Sequence, residues 1–197
     1  MGFIPLYLQT EYSMLQSSCS IEKTFKLAST YNATHLSIVD EGNMYGVIKF
    51  YKEAIKYNIK PVIGLKLNYE FNGITSSILL YAMNNFGYRN LMKLSSHYMV
   101  NDKHIDLDTI LNNSIGLLGI IPFSESILYP MFKNQNVNAM LQHINIISSS
   151  FFFLKIVIKK LKNKQVLKTL TRYNELEEII TVLGIEELSE EDKLIFY

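Results

Sequence analysis

Short apolar runs alternate with amphipathic segments along most of the chain, and this alternation predicts a mixed α/β fold. Runs of mostly apolar residues, typical of buried strands, occupy positions 3–9, 35–39, 59–64, 77–83, 114–121 and 151–158. Segments with apolar residues at helical spacing occupy positions 20–30, 45–57, 84–98, 106–111, 127–132 and 136–147. Over the first 67 residues the order is strand, helix, strand, helix, strand, which predicts parallel strands joined by crossover helices.

The first two predicted helices carry apolar residues that should pack on this sheet. In the first, these residues are Ile21, Phe25, Leu27 and Ala28; in the second, they are Val47, Ile48, Tyr51 and Ile55. Aromatic rings can also stack on nucleic-acid bases, but a place in the core or in a crevice of the fold is the simpler interpretation. We therefore expect Tyr12, Tyr45 and Tyr51 to lie there.

Composition fits one globular domain with a tail. The chain has 197 residues, of which 48% are hydrophobic, enough for a sizeable core. The net charge of +1 excludes a strongly cationic surface as a global feature, so direct nucleic-acid binding should be weak at most. No apolar run approaches the ~20 residues that span a bilayer, so no membrane insertion is expected. The single cysteine, Cys19, excludes an intramolecular disulfide and suits a cytoplasmic location.

Four stretches of sequence carry a family resemblance. Residues 10–15 read TEYSML, residues 40–46 read DEGNMYG, residues 59–64 read IKPVIG and residues 84–96 read NNFGYRNLMKLSS. Their sequences and intervals resemble the PHP domain (polymerase and histidinol phosphatase) at the N-terminus of the alpha subunit of bacterial DNA polymerase III. The resemblance covers roughly residues 3–130, and the domain is expected to extend to about residue 158.

The resemblance also implies where metal ligands would lie. Active PHP domains hold two or three divalent metals with imidazoles and carboxylates at the carboxyl ends of barrel strands. The family's His-x-His positions correspond here to Tyr7 and Gln9, Asp40 is kept with Glu41 in place of histidine, and the family's glutamate is Lys66. A lysine ammonium repels metal ions. The resemblance therefore implies no metal cluster, no cofactor, no catalytic residue, and no phosphoesterase or exonuclease activity.

Two alternatives for reactive side chains stay open. Asp40 and Glu41, together with Glu11, are candidates for one loosely held Mg²⁺, although a solvated, hydrogen-bonded turn is the simpler interpretation. Cys19 has no patterned histidine and acid beside it, so a packed or exposed thiol is the simpler interpretation. The histidines are also possible metal ligands, but their positions show no spacing typical of a metal site. They are His35, His97, His104 and His143.

The end of the chain differs in composition and resembles another family. Residues 155–168 hold six lysines and no acid, residues 165–183 have a long helical pattern, and five acids follow, namely Glu186, Glu187, Glu190, Glu191 and Asp192. Residues 164–195 resemble the C-terminal helical domain of the ATP synthase beta subunit, and the resemblance implies that these acids contact a stalk subunit. The phosphate-binding loop of that family is absent from the sequence, so no ATP hydrolysis is expected.

These observations divide the chain into a partial PHP-like domain, residues 1–158, and a Lys-rich joint with a helical tail, residues 159–197. About 155 residues fall short of the roughly 250 of a complete barrel, so we expect an α/β fold with an incomplete, distorted barrel of marginal stability. The resemblance implies a scaffold in DNA replication whose parent family is a DNA-directed DNA polymerase, a nucleotidyltransferase. Its partners would be other alpha-subunit segments or replisome proteins. The alternatives are a partner-binding ATP synthase-like tail or a non-functional fused gene remnant.

Overall fold

A five-stranded sheet forms the centre of the computed structural model, which describes residues 5–151 and 153–157. The strands are β1 (His35–Glu41), β2 (Lys60–Phe71), β3 (Ile74–Ala82), β4 (Leu117–Pro122) and β5 (Phe153–Val157). They lie side by side in chain order. The β1–β2 and β4–β5 pairs are parallel, whereas β3 runs antiparallel to both of its neighbours. This open, mixed sheet confirms the predicted α/β fold with an incomplete barrel.

Within the residues that the structure describes, six helices flank the sheet, at the positions that the apolar spacing predicted. They are α1 (Ile21–Thr30), α2 (Val47–Tyr57), α3 (Asn85–Val100), α4 (Leu107–Asn112), α5 (Leu128–Lys133) and α6 (Val137–Ser148). A short 3-10 turn, Phe123–Glu125, follows β4. Asparagine and aspartate side chains cap three of these helices. Asn84 accepts from the Gly87 amide, Asp106 from the Thr109 amide and Asn136 from the Ala139 amide.

The two faces of the sheet are covered differently. One face carries Ile38, Leu65 and Leu80, which pack against the helices. The alternate residues of the same strands, among them Val39, Leu79 and Tyr81, form a separate small cluster on the opposite face. In a closed barrel this opposite face would line the interior. Glu41 and Lys66, which are partners in the β1–β2 register, alternate onto this interior face.

Three sequence predictions are wrong in detail. The described part of the predicted first strand, residues 5–9, forms no strand, so the amino-terminal β-α-β-α-β order is reduced to α-β-α-β. The α2 face that packs inward consists of Val47, Phe50 and Ala54, while Ile48, Tyr51 and Ile55 are exposed. Of the tyrosines assigned to the core, Tyr12 is partly buried but Tyr45 is 66% exposed. The predicted tail lies outside the described residues.

Residues 5–9 form an extended segment at the free edge of β1. The Val39 amide donates to the Leu8 carbonyl over 2.8 Å, and the Ser37 hydroxyl donates to the Pro5 carbonyl. The Tyr81 hydroxyl, which projects from the interior face of β3, donates to the Leu6 carbonyl. The segment therefore contacts both β1 and β3, and one backbone amide of the β1 edge, that of Val39, gains a partner from it.

Candidate functional site

The site lies at the carboxyl-end edge of the sheet, where β1, β2 and β4 deliver acidic and basic side chains. Glu41 ends β1 and is paired in register with Lys66 of β2. Gly42 turns the chain immediately afterwards with φ of 70°, and a Cβ at this position would stand 2.5 Å from the Tyr98 ring, so the turn requires glycine. Glu125 arrives from the 3-10 turn that follows β4.

The Lys66 ammonium lies between two carboxylates on the interior face. Its Nζ is 2.9 Å from Oε2 of Glu125 and 3.3 Å from Oε2 of Glu41. The Tyr7 hydroxyl donates to the same Glu125 oxygen over 2.9 Å, and the ammonium is 5.7 Å from the Tyr7 ring centroid. The Lys66 side chain is 10% exposed. A protein cation therefore joins β1, β2 and the turn after β4.

The electrostatics of this group keep it charged and unreactive. Burial lowers the pKa of Lys66, but the hydrogen bonds and charges of the neighbouring Tyr7 and Glu125 side chains outweigh burial and raise it above its usual range. Burial raises the pKa of Tyr7 as well, although Lys66 partly offsets this effect. Both side chains are therefore protonated at neutral pH, and neither is suited to act as a general base or nucleophile there.

Asp40 has a different role, because its carboxylate holds the loop that precedes α1. The residue is 1% exposed. Oδ1 accepts from the Thr10 amide at 2.6 Å and from the Ser13 hydroxyl at 2.7 Å, and Oδ2 accepts from the Thr10 hydroxyl at 2.7 Å. Both oxygens are thus engaged by uncharged donors. The carboxylate satisfies buried polar groups of the loop and fixes its path.

The structure does not bring the three candidate Mg²⁺ ligands together. Asp40 contacts the loop at residues 10–13, Glu41 contacts Lys66, and Glu11 pairs with Lys49 at 3.1 Å. Among the residues with described placement, no group of three or more histidine, cysteine, aspartate or glutamate side chains has a metal-binding arrangement.

The other residues singled out from the sequence form local contacts. Gln9 donates through its side-chain amide to the Gln16 side chain over 2.9 Å. Cys19 is partly buried, and its sulfur lies 3.0 Å from the Thr24 hydroxyl. These contacts order the loop and the start of α1, and they supply no second reactive group to the site.

Sequence reasoning missed Glu125, and it did not foresee the partner of His143. Glu125 binds Lys66, and its position just after a strand end is a signal that could have identified it. His143 on α6 is buried, and its Nε2 lies 2.9 Å from the Tyr69 hydroxyl. No sequence pattern indicated this contact, because the two residues are 74 positions apart in the chain.

Replacement of Asp40 by alanine is expected to lower the free energy of unfolding by about 3 kcal/mol, because three buried donors lose a charged acceptor. Urea denaturation followed by circular dichroism measures this change. Hydrogen exchange of residues 10–17 should quicken in the variant. The control is Asp108→Ala at an exposed position, where a change of about 0.5 kcal/mol or less is expected. A fully stable Asp40→Ala protein would contradict this role.

Comparison with known proteins gives one family. Residues 5–157 match the family profile described as "PHP domain". DNA polymerase III subunit alpha of Rickettsia conorii is 36% identical over 132 residues, which is 64% of this chain and 11% of that protein. The subunit alpha of Rickettsia bellii is 29% identical over 175 residues, covering 84% of this chain and 15% of its own length. The subunit alpha of Borreliella burgdorferi is 37% identical over 105 residues, which is 48% of this chain and 9% of that protein.

The chain matches only a small part of each relative. It spans 11% of the length of the Rickettsia conorii subunit and 15% of the length of the Rickettsia bellii subunit. Among solved structures, an amidohydrolase from Chromobacterium violaceum superposes with a TM-score of 0.51 at 8% identity, covering 78% of this chain and 75% of its own. This likeness concerns the fold alone. Within the described part of the chain, no helix is long and apolar enough to cross a membrane.

Proposed function

Because this chain belongs to the PHP domain family, we propose that it acts in DNA replication as a metal-free PHP scaffold of the DNA polymerase III alpha type. The proposal assigns the scaffold to residues 1–158 and treats residues 159–197 as a separate joint and tail. It places the protein in the cytoplasm. It assigns no polymerase chemistry to the chain itself, which is far shorter than its relatives.

The observation that carries the proposal is the position of the Lys66 ammonium. In the family resemblance, this position contributes a carboxylate to a metal centre. Here the side chain brings its own positive charge to within 3.3 Å of Glu41 and 2.9 Å of Glu125. Two carboxylates that share one fixed cation have part of their negative charge compensated without a metal ion. Carboxylates that are already paired with a lysine of the same chain support a structural role for the domain.

The scaffold role predicts binding to the rest of an alpha subunit. The partners are tested in a pull-down that uses the Rickettsia conorii alpha subunit lacking the region matched by this chain. We expect the full chain to be retained by this fragment, and the retention to survive removal of residues 159–197. Absence of retention would contradict the scaffold role, while retention that requires the tail would transfer the contact to the tail.

The metal-free state is tested by activity and stability together. We expect 1 mM Mn²⁺ or Zn²⁺ to leave the melting temperature of the chain unchanged within about 1 °C, because a ligand that does not bind the folded state cannot stabilise it. Hydrolysis of a phosphomonoester and of single-stranded DNA should not exceed the background rate. A metal-bearing PHP phosphoesterase, assayed in parallel, is the positive control. Metal-dependent stabilisation that Asp40→Asn removes would contradict the proposal.

A further inference from the structure

Helices α2 and α3 border an open groove on the helix-covered side of the sheet. Its volume of about 450 Å³ lies within the range of about 300–1,000 Å³ that is usual for ligand pockets. Most of its lining residues are apolar or aromatic, among them Ile48, Tyr51, Pro61, Ile63 and Tyr88. Ile63 and Lys66 point to opposite faces of β2, so the groove is separate from the interior-face site.

Two tyrosine rings give this groove a chemical character. Tyr51 on α2 is 51% exposed, and Tyr88 on α3 is partly buried. The exposure of Tyr51 excludes the core position expected from the sequence and leaves base stacking as the alternative. Stacking needs an accessible ring face and tolerates any base, because every base has a π-face. Asn85 also lines the groove, and its side-chain amide can hydrogen-bond the edge of an unpaired base.

Two cations flank the groove, one on each helix. Lys52 follows the lining residue Ile48 by four positions and therefore lies on the same side of α2. Arg89 follows the lining residue Asn85 by four positions and lies on the same side of α3. Both are exposed, and among the described residues neither takes part in an ion pair. The other lysines of α2 are already paired with glutamates.

We infer that this groove binds a single strand of nucleic acid. An unpaired base enters the groove and stacks on the Tyr51 ring, while Lys52 and Arg89 bind phosphates of the adjoining backbone. Within the described part of the chain, no acidic residue lines the groove to repel those phosphates. A duplex fits less well, because its bases are stacked on one another and cannot reach the tyrosine. The inference goes beyond the scaffold role and does not depend on it.

The expected affinity is low, in keeping with the overall charge of the chain. The net charge is only +1, so the attraction comes from the local pair of cations and not from the whole surface. Non-specific binding typically has dissociation constants of about 1–100 μM at physiological salt, and two cations place this groove at the weak end. Each phosphate contact on a single strand contributes about −0.7 to the slope of log K against log salt, so two contacts predict about −1.4.

Fluorescence anisotropy of a labelled oligo-dT of about 20 nucleotides, titrated with the full chain, measures this binding. We expect a dissociation constant near about 100 μM in 50 mM NaCl. Tyr51→Ala should weaken binding about fivefold or more, whereas Tyr51→Phe keeps the ring and should bind within about twofold of the native chain. Tyr31→Ala, at another exposed tyrosine, is the matched control and should change the dissociation constant by less than about twofold.

The contribution of charge is tested by the salt dependence of binding. In Lys52→Gln/Arg89→Gln the slope of log K against log salt should approach zero, because both phosphate contacts are lost. Lys23→Gln/Lys26→Gln removes the same charge from exposed positions on α1 and should leave the slope near about −1.4. Circular dichroism of each variant confirms that the fold is intact, so weaker binding is not mistaken for unfolding.

Photocrosslinking locates the bound strand. An oligonucleotide that carries 5-iodouracil should crosslink to Tyr51 or Tyr88 under ultraviolet light, and mass spectrometry identifies the modified peptide. Crosslinks confined to residues 155–168 would place the strand on the Lys-rich joint and overturn the inference.

Other outcomes would also overturn the inference. These are the absence of binding up to about 200 μM chain, native affinity in Tyr51→Ala, and a duplex that binds at least as tightly as the single strand. If the alpha-subunit fragment is retained through Tyr51 while no oligonucleotide binds, the groove belongs to a protein partner. The pull-down described above tests the scaffold role separately, so either proposal can fail without the other.

Discussion

Replacement of Lys66 by methionine is expected to lower the free energy of unfolding by about 2–3 kcal/mol. Methionine keeps the length and apolar stem of the side chain but removes the ammonium. Glu41 and Glu125 then face each other on the interior face without the cation that binds both of them. Removal of one partner from a buried ion pair typically costs about 3–5 kcal/mol, and we expect a cost at or just below the lower end of this range because Glu125 is 36% exposed.

The cost arises mainly at Glu41. Its side chain is 19% exposed, so water replaces the lost ammonium poorly. Asn68 still donates to Oε1 of Glu41 over 3.0 Å, but this neutral amide cannot compensate a full charge. A double-mutant cycle with Glu41→Gln isolates the interaction. The loss of unfolding free energy in the double variant Lys66→Met/Glu41→Gln should be smaller than the sum of the two single losses by more than about 1 kcal/mol.

The measurement is urea denaturation at pH 7, with Lys26→Met as the matched control. Lys26 is exposed on α1, and its replacement should change the free energy of unfolding by about 0.5 kcal/mol or less. Lys66→Arg keeps the charge and should be less harmful than Lys66→Met. If the Lys66→Met protein is as stable as the native chain, the ammonium has no structural role. The proposed scaffold then loses the observation that supports it.

Acidification should destabilise the fold through His143, by up to about 3 kcal/mol between pH 6.5 and pH 4. The side chain is 1% exposed. Burial lowers the pKa of His143 from 6.5 to about 4 in the folded chain. Between these two values the unfolded chain binds a proton that the folded chain does not. Stability is therefore complete above pH 6.5 and decreases as the pH falls toward 4.

The contacts of His143 explain why its charged form is disfavoured. The Ile127 amide donates to the Ser76 hydroxyl, and Ser76 donates to the Tyr69 hydroxyl. The Tyr69 proton is thereby directed to Nε2 of His143, which must be unprotonated to accept it. Among the described residues Nδ1 has no hydrogen-bond partner, and the Phe71 ring lies 4.4 Å away between centroids. In this tautomer the one proton of the neutral ring is on Nδ1, and a second proton on Nε2 would remove the acceptor that Tyr69 binds.

Chemical denaturation at several pH values tests this prediction. In His143→Leu, the slope of stability against pH between 4 and 6.5 should be smaller than in the native chain, whatever the stability at pH 7. His97→Gln, at an exposed histidine of α3, should leave the slope unchanged. Equal slopes in the native chain and in His143→Leu would contradict the prediction and assign the acid sensitivity to carboxylates.

Local sequence patterns predicted the helices and most strands of the fold. They did not predict that residues 5–9 would contact β1 and β3 without forming a strand. The helix that begins after Asn84 and the strand at 77–83 were foreseen within a few residues, because capping and apolar runs act through neighbours in sequence. The segment at 5–9 has strand composition, yet it makes isolated contacts with β1 and β3 instead of a ladder. Composition alone does not distinguish a strand from an extended cover.

The sequence by itself determined the α/β class and the PHP family, since both depend on residue types at fixed positions. The tertiary structure decided the partners of the remaining charges. It placed Glu125 beside Lys66 from 59 positions away, turned Asp40 toward the loop at 10–13, and left Ile48 and Tyr51 exposed. Such contacts depend on strand order and on which face each alternate residue occupies, so they are fixed by packing between segments distant in the chain.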